Sequence, residues 1–187
     1  MVRHGFHTRI ENKGQSDGAQ EQSLGIYHAA KLHQLQISIG RYLTFTSGGT
    51  RELVPGITLT GAISGATARL GKVTVGSGSW EAGNAAGSFV LYDQIGTFAA
   101  ENLNWGAYSN VATIAGDSSS PSAGTLTIGV KSPETLDFVN LTTTVDLVSG
   151  PFLYQIYGMF QQLRFTPTAF TVNNLYTIDI CCGDTEE

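Results

Sequence analysis

The side chains able to do chemistry are few and badly spaced for it. Two cysteines, Cys181 and Cys182, are adjacent, and four histidines form two loose pairs, His4 with His7 and His28 with His33. Metal sites need such groups to converge from spaced positions, as in paired Cys-x-x-Cys motifs or a helical His-x-x-x-His carrying a glutamate. This chain has neither. Neighbouring Cα atoms are about 3.8 Å apart, below the usual disulfide range, so both cysteines are expected as reduced thiols on opposite faces of a strand end. Carboxylates such as Asp93 and Glu101 are of the type that flanks a sugar in a glycosidase, a chemistry set by their separation in space. The serines and threonines lie in β-type runs or turns with no nucleophile elbow. No catalytic residue, metal ligand or cofactor-binding residue is expected, and the chain reads as non-enzymatic.

Residues suited to making contacts are more plentiful. The first 25 residues are polar, with Arg3, Arg9 and Lys13 but few large apolar groups. Such a segment reads as an extended N-terminal arm that is either a tail or orders against a neighbouring subunit. Asp17 followed by Gln20 is spaced to cap a short helix reaching about Ala30, which Gly18 and Gly25 weaken. Residues 152–160, FLYQIYGMF, are almost uniformly apolar and read as a strand at the centre of a sheet or in a subunit contact. Tyr154, Tyr157 and Phe160 are its candidate interface residues. Trp80 and Trp105 are the candidate platforms for stacking on a sugar.

The elements that position these groups are β. Only 13% of residues are charged and 23 are glycine, against about 25% and about 7% in ordinary soluble domains. That balance fits a turn-rich all-β domain, or one whose surface is covered by neighbours. The net charge of −5 comes without a basic row interleaved with aromatics, so no direct nucleic-acid partner is expected. The start, Met1-Val2-Arg3-His4-Gly5, lacks the apolar core of a signal peptide, and no run approaches the roughly 20 apolar residues of a membrane span. A protein made in a cytoplasm, with no membrane partner, is the expectation.

From Gly56 onward, short runs of Val, Ile, Thr, Phe and Tyr alternate with glycine turns, since glycine takes positive φ without steric cost. Ile57, Leu59 and Ile63 share one strand face. In the next run Leu70 is on the even phase and Val73 and Val75 on the odd, which predicts a β-bulge near Gly71-Lys72. Trp80 reads as an anchor before the wide turn of Gly83 to Gly87, and a last hairpin carries Phe98, Leu103 and Trp105. Five short strands with a phase slip predict a small closed or nearly closed barrel over residues 56–115.

The succession T-G-A-x-S-G-A-T, V-x-V-x-S-G-S-W, G-x-A-A-G-x-F-x-L and G-T-F-x-x-E-x-L, over residues 56–105, resembles a glycine-rich β module of tailed-bacteriophage virion proteins. Such modules occur in head decoration or cement, tail and fibre proteins. The resemblance implies a virion structural protein assembled in the host cytoplasm, with other virion proteins, major capsid or tail, as partners and a homo-oligomeric state. A capsid decoration or cement subunit is the first expectation. A tail, fibre or baseplate component with a carbohydrate- or receptor-binding module is the alternative. The resemblance carries no catalytic residue.

Outside the module, Leu35, Ile37, Ile39, Leu43 and Phe45 fall on odd positions with only Arg41 out of character, predicting one long strand with a bulge or a deliberate edge charge at Arg41. Residues 47–55 and 117–122 read as linkers. Leu126, Ile128 and Val130, then Val139, Leu141, Val145 and Leu147, and finally Tyr176, Ile178 and Ile180, alternate as strands with one dry face. The expected fold is all-β: a β-sandwich from residues 32–50 and 122–182, discontinuous around the inserted small glycine-rich β-barrel, with an acidic tail at 184–187.

Overall fold

The computed structural model describes residues 7–13, 17–24, 32–119, 124–132, 137–146, 152–157, 160–169 and 175–183. Their regular structure is all-β. In chain order the strands are β1 (His7–Lys13), β2 (Gln20–Ser23), β3 (Leu32–Ile39), β4 (Arg41–Gly48), β5 (Thr58–Gly61), β6 (Thr67–Ser77) and β7 (Ala86–Ile95). They continue as β8 (Ala100–Trp105), β9 (Tyr108–Ala115), β10 (Thr125–Lys131), β11 (Val139–Asp146), β12 (Phe152–Tyr157), β13 (Gln162–Thr168) and β14 (Tyr176–Gly183). The chain divides into two compact units, Met1–Ile39 with Pro121–Glu187, and Gly40–Ser120 between them.

The outer unit has two four-stranded antiparallel sheets, ordered β1-β14-β3-β12 and β11-β10-β13-β2. One apolar cluster is drawn from both, as in a sandwich: Leu35, Ile37, Tyr176, Ile178 and Ile180 from the first, Leu126, Ile128, Leu163 and Phe165 from the second. Period-two alternation sends these side chains to one face of each strand, and their burial holds the sheets together. The register of β14 on β3 places Ile178 opposite Ile37 and Ile180 opposite Leu35, so core residues meet core residues across the ladder.

Three sequence expectations change in this unit. The described parts of the N-terminal segment find partners within the chain: β1 pairs with β14 and β2 with β13, one edge strand on each sheet. An edge strand is held by backbone hydrogen bonds and needs little apolar surface of its own; here Ile10 and Leu24 suffice, both buried. The helix expected from Asp17 is absent over its first turns, because Gln20 already lies in β2 and its amide donates to the carbonyls of Asp17 and Gly18. The apolar run from Phe152 is an edge strand rather than a central one, since among the described residues β12 pairs only with β3. Arg3, His4, His28, the rest of the expected helix to Ala30 and the acidic tail lie outside the described residues.

The inner unit is a closed barrel, β4-β7-β6-β5-β8-β9, with β9 returning to β4. It has six strands where five were expected. The sixth is β4, which the unbroken odd-position phase from Leu35 to Phe45 had joined to the sandwich. Gly40 breaks that strand, and Leu43 and Phe45 belong to the barrel core. The bulge expected near Gly71 is present: Leu70 pairs with Leu91 and Lys72 with Val90, leaving Gly71 as the extra residue. Glycine at position 87 is dictated by crowding, because a Cβ there would strike the Thr74 carbonyl of the paired strand. The supposed linker at 117–119 is a clasp. Tyr42 and Ser119 exchange backbone hydrogen bonds of 3.0 and 2.7 Å, and Arg41 donates to Ser118 Oγ and the Ser118 carbonyl at 2.6 and 2.9 Å. Arg41 is therefore neither a bulge nor an edge charge. It closes the barrel's entry strand onto its exit, with Asp117 3.6 Å away.

Candidate functional site

The two expected carboxylates are consumed separately. Asp93 takes a left-handed φ of 55° at a bulge in β7, which turns its carboxylate onto Arg69 Nε at 2.9 Å. Glu101, near the start of β8, is 5% exposed. Its Oε2 accepts from the Ile63 and Ser64 amides at 2.5 and 2.9 Å; its Oε1 accepts from Ser64 Oγ at 2.5 Å and the Ala99 amide at 3.0 Å. Burial pushes the Glu101 carboxyl up, but the Ser64 hydroxyl and the amides of Ala99, Ser64 and Ile63 outweigh it and hold the pKa at about 2. Gly61 lies against this carboxylate, where a Cβ would fall 2.5 Å from Oε1. A group so held is a permanent anion that ties the β5–β6 turn to β8. Its lone pairs are already occupied, so it is no proton shuttle.

Of the candidate interface residues, Arg9 and Lys13 lie on β1 and Tyr154 and Tyr157 on β12, at opposite edges of the same sheet. The structure does not bring them together. Arg9 is engaged within the chain, 3.2 Å from Glu11 and 3.1 Å from Asp179. Lys13 stands opposite Tyr176 in the β1–β14 ladder. Tyr157 is 67% exposed and Leu153 60% exposed. The Tyr157 hydroxyl donates to Gln155 Oε1 at 3.2 Å, and Ile156 turns inward to the core. Phe160 is half-buried against the sandwich core, which makes it a packing residue. Tyr154 faces Leu35 in the register, and its side chain lies outside the description.

The two tryptophans are built into the barrel. Phe45 is stacked between Trp80 and Phe89, with ring centroids 5.4 and 4.3 Å away and planes within 12° and 7°. A Cβ on Gly48 would lie 2.5 Å from the Trp80 ring, so this glycine is what lets the indole close down. Trp80 thus stacks one face on Phe45 as an anchor of the barrel. Trp105 is packed against the barrel core and tilts 50° onto Tyr108 at 5.5 Å.

Tyr108 opens a feature that sequence reasoning missed. A hollow of about 460 Å³ at one end of the barrel is lined by residues 49–51 after β4 and 107–111 of the β8–β9 hairpin. Gly106, at φ 56°, turns the hairpin, and Asn110, also at φ 56°, donates its amide to Asn104 Oδ1 at 3.0 Å. The Gly49 amide donates to the Val111 carbonyl at 2.8 Å, an approach only glycine permits, because a Cβ would fall 2.9 Å from the Asn110 carbonyl oxygen. This brings the Arg51 guanidinium carbon to 3.9 Å from the centre of the half-exposed Tyr108 ring. Neither residue sits in a motif; the pairing is made by closure of β9 on β4.

Among the described residues no group of three or more His, Cys, Asp or Glu is placed to hold a metal ion. Cys181 is free, and burial, with Asp179 beside it, pushes its thiol up, which lowers its thiolate fraction. No protein-family model, curated protein or solved structure matches this chain.

Proposed function

We propose that the protein is a non-enzymatic structural subunit of a tailed-bacteriophage virion, a capsid decoration or cement protein that assembles in the host cytoplasm. It would associate with copies of itself and with neighbouring capsid subunits. The observation that carries this reading is the edge strand β12. Edge strands offer a row of unpaired backbone groups, and monomeric proteins blunt them with charge. Three edges of the sandwich follow that rule: β1 carries Arg9, Glu11 and Lys13, β2 carries Glu21 and β11 ends on Asp146. The fourth, β12, has the sequence FLYQIY, with no charge, and exposes Leu153 and Tyr157. An uncharged edge with outward apolar groups suits strand addition by a neighbour, in which backbone bonds supply affinity and side-chain pockets specificity. Arg9 and Glu11 of β1, by contrast, are paired within the chain and are poor candidates for the contact.

Tyr157→Asp tests this. The residue is exposed, so the variant stays folded with an unchanged thermal midpoint, yet it no longer self-associates in sedimentation or binds particles depleted of the subunit. Molar salt leaves wild-type association intact, because apolar burial and backbone pairing are only weakly screened. A Tyr157→Asp protein that assembles like wild type refutes the role of β12. Absence of the chain from purified virions by mass spectrometry refutes the virion assignment itself.

A further inference from the structure

We infer that the hollow at the end of the barrel is a binding site for a carboxylate-bearing sugar residue, of the uronic or sialic acid type, with Arg51 as its anion receptor. The inference concerns the barrel unit and stands apart from the reading of β12. The inner unit has three arginines, and two are neutralised: Arg41 by Asp117 and Arg69 by Asp93. Arg51 forms an ion pair with no carboxylate of a described residue. It sits instead over the Tyr108 ring, its guanidinium carbon 3.9 Å from the ring centre, where cation–π attraction holds it. Its N–H groups donate to no described residue, which leaves the fork available for the bidentate geometry that a carboxylate matches and an ammonium does not. Tyr108 is itself braced by Trp105, so the receptor is organised before a ligand arrives.

The walls favour a sugar over an apolar ligand. Thr50, Ser109 and Asn110 line the hollow and provide hydroxyl and amide groups for a polyol. The volume of about 460 Å³ lies in the range of small-ligand sites and suits one or two sugar rings. The ionised carboxylate supplies orientation and the ring hydroxyls supply selectivity.

The test is calorimetric titration of the full chain with oligosaccharides carrying a glucuronic or sialic acid, alongside neutral oligosaccharides of equal length and a glutamate-rich peptide. Saturable binding of an acidic saccharide is expected, weakened by added salt, with the neutral ones at least about tenfold weaker, the loss of one charge-assisted pair. Arg51→Gln abolishes that preference, and Arg51→Lys, which keeps the charge but loses the planar fork, fails to restore it. Both variants retain the wild-type melting profile because Arg51 is exposed, and Tyr157→Asp binds the saccharide normally. No saturable binding of any acidic saccharide overturns the inference, as does equal binding of acidic and neutral ones. So does undiminished binding by Arg51→Gln, rescue by Arg51→Lys, or stronger binding of the peptide, which would make the ligand an acidic protein surface.

Discussion

Replacing Glu101 by Gln should cost the barrel much of one carboxylate's linkage energy, a cost that fades as pH falls below the unfolded-state pKa. The folded pKa is held at about 2 against an ordinary 4.5. A depressed carboxyl stabilises the fold above the unfolded pKa, and that stability is lost as pH falls through 4.5 toward 2. At neutral pH the shift corresponds to about 3 kcal/mol, and by pH 3 less than half of it remains. Glutamine is nearly isosteric but can offer its carbonyl oxygen to only part of the donor set, and its NH₂ faces amides that also donate. Both tryptophans, Trp80 and Trp105, lie in the inner unit, so tryptophan fluorescence during urea unfolding reports on the barrel alone. The readout is the difference between wild type and Glu101→Gln, measured from pH 7 to pH 3, which cancels the titration of other carboxylates. The expected gap is about 2–3 kcal/mol at pH 7, narrowing toward pH 3. A gap that is absent at pH 7, or constant with pH, would refute the account of Glu101 as an ionised tie between β8 and the β5–β6 turn.

Two further outcomes follow from the strand order. A fragment of residues 40–119 should show a cooperative fluorescence transition, whereas residues 56–115 should not, because the shorter fragment lacks β4 and leaves β7 and β9 without their shared neighbour; equal cooperativity would mean the barrel closes without it. Deleting residues 1–25 should lower the stability of the outer unit by roughly 3 kcal/mol or more, the burial of Ile10 and Leu24 alone being of that order. An unchanged denaturation midpoint would show that β1 and β2 contribute nothing to the fold.

The barrel was legible because its information is local. Glycines mark the reversals, and the shift from Leu70 to Val73 announces the Gly71 bulge within four residues. Its boundary was not legible, since Ile39 and Leu43 keep one phase across Gly40 although they serve different cores. The strands β1 and β2 were hidden for another reason: edge pairing is paid in backbone hydrogen bonds, which side-chain periodicity does not record. The partners of Glu101 are mostly main-chain amides, and amides have no letter in a sequence. Arg51 and Tyr108 meet only because β9 returns to β4, so neither residue signals the other. The exposure of β12 depends on which strand fails to pair with it, whereas its composition reads as buried.

The clasp between Tyr42 and Ser119 bears on the order in which the chain can fold. Every ladder that β1, β2 and β3 make is with a strand from beyond the barrel, namely β12, β13 or β14. For those ladders the barrel is a loop, and a slack loop of about 80 residues costs about 3 kcal/mol more to close than a two-residue turn, since the penalty grows as the logarithm of length. Once Tyr42 and Ser119 are bonded, the tether between β3 and β10 is only the few residues flanking them. The polymer entropy has then been spent inside the barrel, on contacts that repay it locally. An inner unit that folds before the sheets outside it therefore shortens their search.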